Sequence, residues 1–153
     1  MKILVDCDAM PRPLKEALLK TAEREKIETH FIAARAPRLP ESAFLKALGA
    51  GGAFDGADDL IVECAAPGDL VVTADIKLAD RAIAKGAEVL TPKGEFLLPV
   101  NIKHALAMRD LLDELRVSGE ITGGPAPFSE RQRIDFMNAL NRFCRKQTKK
   151  KIL

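Results

Sequence analysis

Strand-length apolar runs recur through the first two-thirds of this chain, separated by stretches of helical spacing: "KILVD", "ETHFIA", "GDLVVTAD" and "AEVLTP". This alternation admits few folds. Parallel strands need long crossovers, and crossovers that are helices must lie over the sheet, so repeated β-then-α units imply an α/β fold of three layers. The expectation is a mostly parallel sheet with helices on both faces.

The connecting stretches support that reading. Pro11 or Pro13 suits the first turn of a helix reaching about Glu25, with Leu14, Ala17, Leu18 and Thr21 on one face. "ARAPRLPES" carries two prolines and reads as irregular, whereas "AFLKALGAGG" fits helix and strand equally. "GADDLIVECAA" reads as a short helix and "KLADRAIAKG" as one stopped by Gly86. Later, Met108, Leu111, Leu112 and Leu115 form a helical stripe within "NIKHALAMRDLLDELRVSG". After "EITGGPAP", either a flap or a plain connection, Ser129 and Gln132 form an S-x-x-Q capping box at the start of a last helix. Phe136, Leu140 and Phe143 recur along that helix and are expected to dock on the sheet.

At 153 residues there is chain enough for one core, so residues 1–145 are read as one α/β domain and 146–153 as a basic tail. Arg142, Arg145, Lys146, Lys149, Lys150 and Lys151 contribute six of the 24 basic residues with no acid among them, which leaves the rest of the chain net acidic. Such a run attracts phosphate backbones or is simply a solvated, frayed end. Trp and Tyr are absent, so stacking platforms for bases are scarce. Cys7, Cys64 and Cys144 are odd in number and widely spaced, which fits neither a disulfide framework nor a CxxC site and suggests a reducing, cytoplasmic setting. No leader and no membrane-length apolar run is visible, so no membrane partner is expected.

Acids sit where ligands bind in such folds, just past the carboxyl ends of strands. Asp6 and Asp8 follow the first strand, Asp75 follows "LVVT", and Asp55, Asp58 and Asp59 open the helix before that strand. Carboxylates crowded at one edge repel each other, and a hard divalent cation, Mg²⁺ or Mn²⁺, relieves that repulsion. His30 and His104 fall inside a strand and a helix, a poor basis for zinc. Each acid also has an ordinary structural role open to it. Asp58 and Asp59 suit a helix N-terminus, Asp69 a turn, and Asp80 and Asp110 surface ion pairs. Cys7, between Asp6 and Asp8, is expected to face the core.

Four segments, "VDCDAMP", "AFDGADDLIV", "GDLVVTADIKLA" and "RDLLDELRVSGEITGGP", resemble the YaiI/YqxD family of bacterial proteins, also called DUF188 or UPF0178, which is grouped with PIN-like domains. The likeness runs from Met1 to about Phe143. PIN-like nucleases have an Asp after the first strand, acids in the middle and a T-x-D after a later strand, which together hold one or two metal ions against a phosphodiester. The resemblance thus implies a PIN-like domain with Asp6, Asp58 and Asp75 as catalytic acids and Asp6, Asp8, Asp58, Asp59 and Asp75 as metal ligands, with Thr73 completing the T-x-D. One departure is Lys77, where many PIN domains carry a further acid, unless Asp8 or Asp80 substitutes.

The leading functional expectation is a metal-dependent nuclease for RNA or single-stranded nucleic acid, with Arg35, Arg38 and Lys77 holding flanking phosphates or merely solvated. A catalytically reduced PIN-like module binding RNA or protein is the alternative, and Lys77 favours it. An aspartate-nucleophile phosphatase also begins with a strand and D-x-D, but Met10 stands where that class carries Thr or Val. A homo-oligomer stays open.

Overall fold

A computed structural model describes residues 1–8, 10–52, 56–122 and 127–152. Asp55 and the centre of the "EITGGPAP" connection lie outside the described residues. The elements are β1 (Ile3–Asp6), α1 (Arg12–Glu25), β2 (Thr29–Ala33), β3 (Leu45–Gly49), α2 (Gly56–Cys64), β4 (Leu70–Val72), α3 (Ile76–Ala84), β5 (Glu88–Leu90), β6 (Phe96–Leu97), α4 (Ile102–Val117) and α5 (Glu130–Ile152).

The strands form one sheet in the order β3-β2-β1-β4-β5-β6, parallel throughout except for the antiparallel β5–β6 pair. Alternation along the strands divides the core in two. Ile3, Val5, Phe31, Leu70 and Val72 face α1 and α5, meeting Leu14, Leu18, Phe136, Leu140 and Phe143. Leu4, Ile32, Val71 and Val89 face the other way, toward Ala57 and Ile61 of α2, Leu78 and Ala82 of α3, and Ile102 of α4. Both sheet faces are therefore dry, which is why β1 and β4 read as unbroken apolar runs. Cys7 is buried in the first of these clusters.

Three elements differ from, or go beyond, the sequence reading. "AFLKALGAGG" resolves as β3, a partly exposed edge strand with little burial to signal it. β6 is only two residues long and returns antiparallel through a turn at Gly94, whose φ of 84° lies in the left-handed region. A Cβ there would meet the Asp135 backbone of α5 at 2.6 Å, so glycine lets this turn lie directly on α5. Third, α5 continues as helix through the basic residues to Ile152. Its start is as expected: the Ser129 hydroxyl accepts from the Gln132 N–H at 3.3 Å.

α4 is unusual in what it leaves uncovered. Ile102 is its one buried residue among those described, while Met108, Leu111 and Leu112 on its apolar stripe are 41%, 47% and 37% exposed. Among the described residues, no helix is long and apolar enough to cross a membrane.

Candidate active site at the carboxyl edge of the sheet

The strand order places a topological switch point between β1 and β4: from β1 the chain winds outward through β2 and β3, then crosses back to β4 and continues to β5. The strand ends there diverge into separate connections, and the space left between them is where open α/β sheets bind ligands. Asp6 ends β1 at that point, and Thr73 follows β4 directly beside it.

The two are joined. The Thr73 hydroxyl donates to Asp6 Oδ2 at 2.8 Å and accepts from the Asp75 N–H at 3.0 Å, so one side chain fixes both acids. Asp75 is the N-cap of α3, its Oδ1 accepting from the Lys77 and Leu78 N–H groups at 2.9 and 3.3 Å. Asp8, exposed, accepts from the Ala34 N–H at 3.3 Å and so leans toward the end of β2. Three strand ends thereby meet through polar contacts at one edge.

Asp6 is buried, and burial is the largest influence on its carboxyl, raising its pKa above the ordinary 3.8. The Thr73 hydroxyl and the Asp8 N–H act downward, whereas the charges of Asp8 and Asp75 push further up. No Lys or Arg answers these charges: among the described residues, Asp6, Asp8 and Asp75 have no salt bridge. Elsewhere aspartates are paired with bases. Asp59 meets Arg81 at 2.9 Å, Asp80 meets Lys103 at 3.0 Å, and Asp69 meets Lys2 at 2.6 Å.

The other residues singled out in the sequence fall around this edge in different ways. Asp58 is half-buried in the first turn of α2, and Asp59, exposed beside it, is engaged by Arg81. Arg35 and Arg38 are exposed in the segment after β2, and Lys77 is exposed in the first turn of α3. Among the described residues no group of three or more His, Cys, Asp or Glu side chains is gathered to hold a metal ion. Cys7 and Cys144 offer no nucleophile, since burial pushes both thiols up to about 11.

Asp69 is the residue whose role the sequence concealed. Its place in "PGDL" suggests only a turn, yet its buried carboxylate accepts from the Lys2 N–H, the Lys2 ammonium and the Ala66 N–H, and so clamps the starts of β1 and β4 together. The only signal in the sequence was a Lys one residue before the first strand and an Asp one residue before the fourth, which becomes meaningful once those strands are known to be neighbours.

Comparison with known proteins gives a consistent picture along the chain. The family model described as "Uncharacterized BCR, YaiI/YqxD family" (DUF188) matches residues 4–146. A UPF0178 protein of Solidesulfovibrio magneticus is 49% identical over 148 residues, 97% of this chain and 99% of the relative. One from Hahella chejuensis is 45% identical over 149 residues, with the same coverage, and one from Shewanella amazonensis 46% identical over 143 residues, 94% of this chain and 96% of the relative. No solved structure matches significantly. With the Asp6–Thr73–Asp75 edge inside the matched span and full-length relatives at this identity, the chain belongs to the YaiI/YqxD (UPF0178) family.

Proposed function

We propose that this protein is a nuclease dependent on Mg²⁺ or Mn²⁺, hydrolysing phosphodiesters of RNA or single-stranded nucleic acid at the β1–β4 switch point. The observation that carries the reading is the sorting of the acids: Asp6 feels the charges of Asp8 and Asp75, and among the described residues none of the three has a salt bridge, at an edge where open α/β sheets bind ligands. Repulsion left unrelieved in a folded site is what a bound cation would offset. The residues fit a hard ion that keeps most of its water, as Mg²⁺ does with one or two carboxylates, rather than a fully protein-enclosed one.

When bound, such an ion supplies positive charge that polarises the phosphate and acidifies a water. The chain's own groups do the rest. Asp6 is the principal carboxylate, held in one orientation by the Thr73 hydroxyl. Asp75 is oriented by α3, since the two amides on its Oδ1 fix the direction of the other oxygen. Asp8, more exposed, is placed to ligate alongside Asp6 or to take a proton from the attacking water. Asp58 is retained as a third acid from α2, while Asp59 must first leave Arg81. Lys77 in the first turn of α3 and Arg35 and Arg38 in the segment after β2 are exposed, and would take flanking phosphates.

Incubating the purified protein with single-stranded RNA and Mn²⁺ tests this. Cleavage by wild type that is lost in Asp6→Asn and Asp75→Asn supports the reading, and equal product from all three, or from none, rejects it. A binding-only module is favoured by one observation, the lack of a three-ligand group among the described residues. It predicts RNA retention with no carboxylate-dependent uptake of Mn²⁺.

A further inference from the structure

A groove of about 550 Å³ opens immediately beside the acid edge, and nothing in the proposed chemistry uses it. Ala74 and Ile76, the residues on either side of Asp75, form the wall toward the acids. The far wall is α4, with Met108 and Leu112 of its uncovered stripe, and the floor includes Leu97 of β6 and Phe128. Its volume falls in the range of small-molecule sites, which are mostly apolar with a few polar groups.

The charged groups at this groove are mainly cationic, Lys93, Arg109 and Arg116 against the single acid Glu95, and Thr91 and Gln132 add neutral polar groups. Lys93 has no ion pair among the described residues. Among the described residues Arg109 is held by exposed contacts with Asp110 and Asp113 at 3.4 and 3.6 Å, which are weak and exchangeable. An occupant suited to this lining has a flat apolar body and at least one negative charge. Phe128, half-buried, offers a single aromatic face, sufficient for one ring.

We propose that the groove between α4 and the β5–β6 turn is a nucleotide subsite that seats one nucleobase against Phe128, Met108 and Leu112, with a phosphate of the same strand on Arg109 or Lys93. This deepens the nuclease reading and rests on it for the direction of the strand, which would run from the groove past Ala74 to the acid edge. It adds that recognition is of a single splayed base, which selects single strands over duplex.

The test is titration of the full-length protein with a mononucleoside 5′-monophosphate, followed through the ¹³C-labelled methyls of Met108 and Met137. Met137, on α5, lines a separate pocket and not the groove, and serves as the internal control. Saturable movement of the Met108 methyl that is absent with inorganic phosphate, and abolished in Leu112→Glu, is expected; Leu112 is exposed enough for that variant to fold. Movement of both methyls alike, or none at millimolar nucleotide, overturns the subsite. So does concentration-dependent broadening of Met108 without nucleotide that Leu112→Glu relieves, because the groove would then be an interface between two copies of the chain. Methyl shifts with no RNA cleavage would reject the nuclease reading and leave the subsite. Cleavage with kcat/KM unchanged in Leu112→Glu would do the reverse.

Discussion

The two ends of the sheet handle their acids in opposite ways. At the amino edge, each of the acids entering β2, β4 and β5 has a lysine: Glu28 with Lys46, Asp69 with Lys2, and Glu88 with Lys146. At the carboxyl edge, Asp6, Asp8 and Asp75 have backbone amides and a threonine hydroxyl but, among the described residues, no base. β1 and β4 show both in one strand pair, with Asp69–Lys2 at one end and Asp6–Thr73 at the other. The first arrangement is complete in itself and stabilises the fold, whereas the second leaves negative charge uncompensated. The basic end of α5 belongs to the amino edge, since Lys146 reaches Glu88 at the start of β5. It therefore lies at the opposite edge of the sheet from Asp6, Asp8 and Asp75.

The largest effect should come from neutralising Asp69 at the amino edge. Asp69→Asn should lose on the order of 3 kcal/mol, because Lys2 is left without its counter-charge in a largely buried clamp. Chemical denaturation reads this directly, and a loss as small as that of a surface change would show that the amino edge is not a clamp. Thr73→Val comes next, at about 1–3 kcal/mol, since it strands both the Asp6 carboxyl and the Asp75 N–H. It should also raise the Asp6 pKa further, visible as a shift of the Asp6 carboxyl carbon in an NMR titration.

The pH profile sharpens the contrast. Glu28 is held down to about 2 by Lys46 and His30, so its contribution is present above its ordinary 4.5 and is lost as pH falls toward about 2. Asp6 runs the other way. Its folded pKa lies above 3.8, so the folded state holds the proton more tightly and stability falls as pH rises through the window above 3.8. Denaturation across that window should show the decline in wild type and not in Asp6→Asn. The smallest effect belongs to the tail: removing residues 149–153 should leave unfolding unchanged, yet weaken RNA binding at low salt and flatten its salt dependence. Unchanged affinity would mean that the basic end of α5 is only solvated.

What could be read from the sequence follows from periodicity. β1, β2, β4 and β5 are buried on both faces and announce themselves as apolar runs, and α1, α3 and α5 carry clear stripes or caps. β3 and β6 were not legible, because an edge strand with solvated faces and a two-residue strand leave no pattern. At the site, Asp6 and Asp75 stood out by following strands. That Thr73 ties them together, and that Asp69 is a clamp, depends on β1 and β4 being neighbours, which spacing along a chain does not contain.

If the uncompensated carboxyl edge holds a cation, as proposed, thermal melts of wild type and Asp6→Asn, each with and without Mn²⁺, will show it. Asp6→Asn should melt at or above wild type without metal, because neutralisation removes a buried like-charge cost, while only wild type should gain Tm on adding Mn²⁺. A metal-free loss of stability in Asp6→Asn, with no Mn²⁺-dependent rise in wild type, would contradict it and make Asp6 a structural acid like Asp69.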